Sequence, residues 1–112
     1  MKNMNPDDID QVNPEEVSLT DGILGYNILL SGEYVGSLEA HPGSIEHLEV
    51  EIHWQGKGIA RAALNEFIEF SRECGESEVT TNSAIHPAME YILETEGFEE
   101  QTEGIGWAKE IS

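Results

Sequence analysis

The chain alternates between two hydrophobic periods, and the switches between them mark its elements. Residues 26–30 (Tyr26, Asn27, Ile28, Leu29, Leu30) and 34–38 (Tyr34, Val35, Gly36, Ser37, Leu38) are apolar, strand-forming runs joined by Ser31-Gly32-Glu33, the pattern of a hairpin. His41-Pro42-Gly43 interrupts it. Residues 45–52 then alternate, putting Leu48, Val50 and Ile52 on one face of a third strand. Beyond a glycine-containing loop the period becomes helical: Ile59, Ala63, Phe67, Phe70 and Cys74 recur on one side, Ala60, Leu64 and Ile68 widen the stripe, and Gly75 ends it. A short strand is expected at 78–83 and a helix from Pro87 to Thr95 closed by Gly97. A closing hairpin or extended strand is expected within 98–111, and Met89, Ile92 and Leu93 of the preceding helix are expected in the core with Phe98 as a packing anchor.

By contrast, residues 1–16 hold Asn, Asp, Glu, Pro6 and Pro14 with isolated apolar positions, too few to offset ordering entropy. The organisation expected is therefore a flexible acidic tail over 1–18 and one domain over 19–112. Its class is α+β, with a mostly antiparallel sheet and two main helices.

Charge changes the picture of the surroundings more than that of the fold. Against 23 Asp and Glu stand 5 Lys and Arg, a formal net charge of −18. Self-repulsion on this scale destabilises a compact state in dilute buffer and is muted by concentrated salt, so a halophile's cytoplasm is the expected setting. A basic partner is the rival explanation. Nucleic-acid binding is not expected, because phosphate neutralisation needs a basic surface. Cys74, the sole cysteine, excludes an intramolecular disulfide. No apolar run reaches membrane-spanning length and residues 1–16 lack a signal-peptide core, so a cytoplasmic protein without membrane association is expected.

The candidate chemistry lies in Gln55-Gly56-Lys57-Gly58-Ile59-Ala60, between the alternating strand and the amphipathic helix. Backbone N–H groups at a helix start lack intrahelical partners, and the helix dipole adds positive potential, so this arrangement suits a phosphate or pyrophosphate. Glycines let such a ligand approach the main chain, and Lys57 offers a mobile cation. Neither the P-loop pattern nor the dinucleotide pattern of glycines is present. A plain strand-to-helix turn is the structural alternative for a glycine pair.

The run from Leu48 to Ala60 resembles the GNAT acetyltransferase pattern of a strand, an aromatic residue and then [RQ]-x-x-G-x-[GA]. A second block, from His86 to Gly97-Phe98, is similar to that family's helix ending in Gly-Phe before a closing strand. The resemblance spans roughly residues 26–110 and implies acetyl-CoA as acyl donor and an amine as acceptor. It further implies that Gln55, Gly56, Lys57, Gly58, Ile59 and Ala60 surround the pyrophosphate, while main chain at Leu48, Glu49 and Val50 pairs with the pantetheine arm as an added strand. The chain departs from the family in three places. Leu93 occupies the position where many members carry a general-acid tyrosine, and His86 replaces a frequent asparagine. Tyr91 lies about 200° away around the helix and does not substitute for that tyrosine. There is also no length for the helix pair that forms much of the acceptor pocket, so a second protomer, as a homodimer, or the ligand itself would complete the groove.

Acyl transfer to an amine needs a base and donors for the developing oxyanion. Glu49 and Glu51 alternate with the apolar face beside His47 and His53 and are the candidate bases, with His86 as base or donor. Their ordinary roles would be solvated surface carboxylates and a helix cap. His47, Glu49 and His53 are too spread along one strand for a closed metal site, so no metal is expected. Trp54 would either cover a ligand or pack the loop against the sheet. The alternative to an N-acetyltransferase is a noncatalytic module of the same fold that binds CoA or a protein.

Overall fold

The computed structural model describes residues 5–81, 87–101 and 106–112. Seven strands form one sheet in the order β1-β2-β3-β4-β5-β7-β6: β1 (Val17–Asp21), β2 (Gly25–Leu30), β3 (Glu33–His41), β4 (Ser44–Val50), β5 (Glu78–Thr81), β6 (Glu99–Glu100) and β7 (Trp107–Glu110). All neighbours are antiparallel except β4 and β5. The two helices are α1 (Ile59–Glu73) and α2 (Pro87–Thr95). The hairpin, α1 and α2 stand where their periodicity places them, while β4 ends two residues early and β1 is an additional strand. Its first residues fall within the expected tail, where only Val17 and Leu19 carry the alternation.

One face of the sheet is apolar and packs on α1. Tyr26, Ile28, Leu38 and Val50 meet Ile59, Ala63, Leu64, Phe67 and Ile68 in a common core. The Tyr26 ring lies 6.0 Å from that of Phe67 and 5.5 Å from that of Phe70. At its far end α1 is fixed by polar contacts: Gly43 N donates to the buried Ser71 Oγ at 3.0 Å, and Arg72 Nε donates to Ile111 O at 2.6 Å. Phe70 and Cys74, counted on the buried stripe by spacing, are exposed. The helix is narrower on its core side than its sequence, and Ser71 takes the position between them.

The opposite face of β1–β4 is polar. Thr20, Asn27, Ser37 and Glu49 form one cross-strand row, with Glu39 and His47 in the next. No described helix covers it, because β1 passes to β2 through Gly22, Ile23 and Leu24 alone. Gly36 is needed where β3 meets β4, since a Cβ there would stand 2.3 Å from Glu49 O and 3.0 Å from the Val50 Cα.

Residues 3–56 contain no lysine or arginine, so β1–β4 carry carboxylates without a compensating cation. The described cations are instead held by other groups: Lys57 by a backbone carbonyl, Arg61 by Glu96, Arg72 by Glu69 and Lys109 by Glu96 O. Raising KCl from about 0.1 to about 1 M shortens the screening length from about 10 to about 3 Å and is expected to raise the thermal midpoint. A midpoint that falls monotonically over this range would contradict the repulsion account.

Candidate functional site

The site is built where β4 and β5 separate. Their ladder consists of Ser44↔Thr80 and Ile45↔Thr81; beyond it, His47 to Val50 have β3 on one side and no paired described strand on the other. Such an edge offers main-chain hydrogen bonds to an extended ligand. Leu48 is half-buried and Val50 buried, both on the apolar face, and Glu49 is exposed on the polar one. The strand stops at Val50, two residues earlier than its alternation predicts. Glu51 caps a 3-10 turn, Ile52–Trp54, which carries Ile52 out to 76% exposure instead of onto the Val50 face. Trp54 is 4% exposed and packs into the core, the structural alternative of its two readings.

Past this turn, Gln55 Nε2 donates to Val50 O at 2.9 Å and staples the loop to the strand end. Gly58 then takes φ 90°, the left-handed conformation that glycine adopts without steric cost, and α1 begins. The first intrahelical bond at this end runs from Ala62 N to Gly58 O. The backbone N–H groups of residues 56–61 have no hydrogen-bond acceptor among the described residues. At the positive end of a helix, such a run of free donors fits a phosphate or pyrophosphate. A Cβ at Gly56 would meet nothing within 4 Å, so the loop is open to approach there.

Lys57, expected as a mobile cation, is tethered: its Nζ donates to Ile9 O at 2.8 Å. The segment expected as a flexible tail accounts for this. From Asn5 onward it forms two 3-10 turns, Pro6–Asp8 and Pro14–Glu16, with Val12 9% exposed and its N–H bonded to Lys57 O at 2.9 Å. Nothing in its composition signalled this docking, because backbone groups and one valine carry it.

Of the candidate residues, Glu49, Val50, Glu51 and Gln55 come together around an open cleft of about 780 Å³, with Tyr34 and His53 on its wall. Leu48 and Gly56, Lys57, Gly58, Ile59 and Ala60 stand outside that wall, the last five continuing from Gln55 into the helix start. His86 lies outside the described residues. Among the described residues no group of His, Cys, Asp and Glu is arranged to hold a metal ion.

On α2, Leu93 is fully buried, whereas Tyr91 is exposed with the Arg61 guanidinium 5.9 Å from its ring centroid. Arg61 also donates to Thr95 Oγ1 at 2.8 Å and pairs with Glu96. That pairing turns the first charged side chain of α1 away from the loop and onto α2, a role the sequence did not reveal. The Tyr26 hydroxyl is pushed above its usual value, first by burial and then by Cys74 and Asp21, and stays protonated at neutral pH. No described helix is long and apolar enough to cross a membrane.

The sequence matches no family model and no curated protein. Solved structures do share its architecture. A GNAT-family protein of Desulfovibrio desulfuricans, 20% identical, superposes with a TM-score of 0.62 over 78% of this chain and 68% of its own. The ribosomal-protein-S18-alanine N-acetyltransferase of Escherichia coli, 18% identical, gives 0.59 over 88% and 71%. An Escherichia coli GNAT family N-acetyltransferase in complex with CoA, 17% identical, gives 0.55 over 80% and 60%. Identities this low speak for architecture and not for substrate. These likenesses give the chain, with its seven-stranded sheet and two described helices, the GNAT fold.

Proposed function

We propose that this chain is an acyl-CoA-dependent N-acyltransferase that uses acetyl-CoA to acetylate an amine. The observation that carries the reading is the run of unpartnered N–H groups at residues 56–61, reached from a strand whose edge is open. In this reading the amides of Gln55 to Ala60 hold the pyrophosphate and the edge of Leu48 to Val50 pairs with the pantetheine arm. Bound acetyl-CoA supplies an activated acyl carbon: its C–S bond breaks as the C–N bond forms, and the amine's proton must go to a base. Their shared position on the wall of one cleft supports Glu49 and Glu51 as the bases that receive it, with His86 as a third candidate.

Titrating acetyl-CoA into the protein in molar KCl tests this reading. Amide NMR shifts centred on Val50 and Gln55 to Ala60 are expected, and folded protein without such shifts would end it. Given turnover on an amine, Glu49→Gln or Glu51→Gln is expected to lower kcat by about 10²–10⁴-fold, the usual contribution of a positioned base. If neither substitution changes kcat beyond threefold or so, the base lies elsewhere.

A noncatalytic CoA-binding module is the second reading. It is favoured by Leu93, a fully buried side chain with no hydroxyl to donate, and by the uncovered sheet face. Saturable CoA binding without transfer to any of a broad amine panel would select it.

A further inference from the structure

We propose that residues 5–13 form an acidic strap that competes with acyl-CoA for the phosphate loop, an inference that rests on the reading of that loop given above. The strap is held by specific bonds. Val12 N donates to Lys57 O at 2.9 Å, Lys57 Nζ donates to Ile9 O at 2.8 Å, and Gln11 Nε2 makes a longer bond to Gly56 O at 3.4 Å. The other end of the Gln11 amide covers Gly58: its Oε1 lies 2.8 Å from where a Cβ on Gly58 would stand. Asn5 and Asn13 accept from Asp7 N and Glu15 N, folding the strap into tight turns at either end, and Asn5, Pro6 and Asp7 reach the wall of the cleft.

Two features make this arrangement adverse to a polyanion. The ammonium of Lys57 is tethered to a carbonyl of the strap, so its charge is held toward the strap and one of its three donors is occupied. Asp7, on the wall of the cleft, and its strap neighbours Asp8 and Asp10 give the strap three acidic residues, so a pyrophosphate approaching it meets like charge. Apart from Val12 and the half-buried Pro6 and Ile9, the strap is exposed, so little apolar surface opposes its release. A ligand that binds only the released form sees its apparent Kd raised by the reciprocal of the released fraction.

The test is calorimetric titration of CoA into the full chain, into Gln11→Ala, and into Gln11→Ala combined with Asp7→Asn, Asp8→Asn and Asp10→Asn. Amide exchange of Val12 is followed with and without CoA. Gln11→Ala is expected to tighten CoA binding about twofold to tenfold, the worth of one hydrogen bond. The combined variant is expected to gain more, by a margin that shrinks as KCl rises. Val12, protected by Lys57 O in the free protein, is expected to exchange faster once CoA is bound. Unchanged or weaker affinity in the variants, or unchanged Val12 protection at saturating CoA, would overturn the strap and leave the loop site standing. CoA bound by none of the three proteins would overturn the loop reading and the strap with it. Binding confined to the variants would establish the strap as fully inhibitory.

Discussion

Gly58→Glu is expected to abolish CoA binding, raising Kd at least about 100-fold, or roughly 3 kcal/mol at 1.4 kcal/mol per decade. The substitution has two effects, one on folding and one on binding. The left-handed φ of 90° at this position strains any residue with a Cβ, by about 1–2 kcal/mol. The new carboxylate also stands among the N–H groups of residues 56–61, satisfying internally the donors a pyrophosphate would use and repelling its charge. Gly58→Ala separates the two effects. It carries the same backbone strain, and the atom its Cβ meets is the movable end of the Gln11 side chain, so it is expected to lose stability while keeping CoA affinity within about tenfold. Isothermal titration of both variants, with thermal melts to confirm folding, reads the difference. Equal CoA affinity in Gly58→Glu and the parent protein would remove the loop from the site.

The parts of this molecule that could be read from the sequence are those where one local rule decides. Alternation from Leu48 onward located β4, helical spacing located α1, and a glycine pair between them located the loop. Where two rules competed, the reading failed. Ile52 continues the alternation of Leu48 and Val50, yet the chain leaves the sheet at Val50 because Gln55 binds the carbonyl there and the turn at Ile52–Trp54 redirects the backbone. The strap was invisible for a different reason. Its contacts are main-chain carbonyls and N–H groups meeting one amide and one ammonium, and composition says nothing about backbone groups whose partner lies far along the chain. Arg61 could be seen as a cation near a phosphate loop, but its commitment to Glu96 depends on where α2 ends in space. In the same way, Glu49 and Glu51 could be named as a pair from alternation, but the cleft that unites them comes from β3 and the turn as well as β4.

Phe67→Ala carries the largest expected cost in stability, about 3–5 kcal/mol, the range for truncating a buried aromatic side chain. Phe67 is fully buried between the sheet and the rest of α1, and its removal would leave a cavity under Tyr26 that fixed strands on one side and a helix tied at Ser71 and Arg72 on the other cannot close. A loss of this size is a large share of the roughly 5–15 kcal/mol that holds a typical domain together. It falls on a chain already working against a net charge of −18, so the variant is expected to be largely unfolded in dilute buffer and partly recovered in molar KCl. Phe70→Ala is the informative comparison. Spacing alone assigns both phenylalanines to one stripe, and both rings approach Tyr26, but Phe70 is 38% exposed and makes its contact at the rim. Its truncation opens no enclosed space, and the expected cost is about 1 kcal/mol, set by one edge-to-face ring contact and partial reburial. Urea denaturation of the two variants in molar KCl measures the contrast: a gap of about 2 kcal/mol or more follows if the depth of α1 in the core decides stability, and equal losses would show that its registry against the sheet differs from the one described.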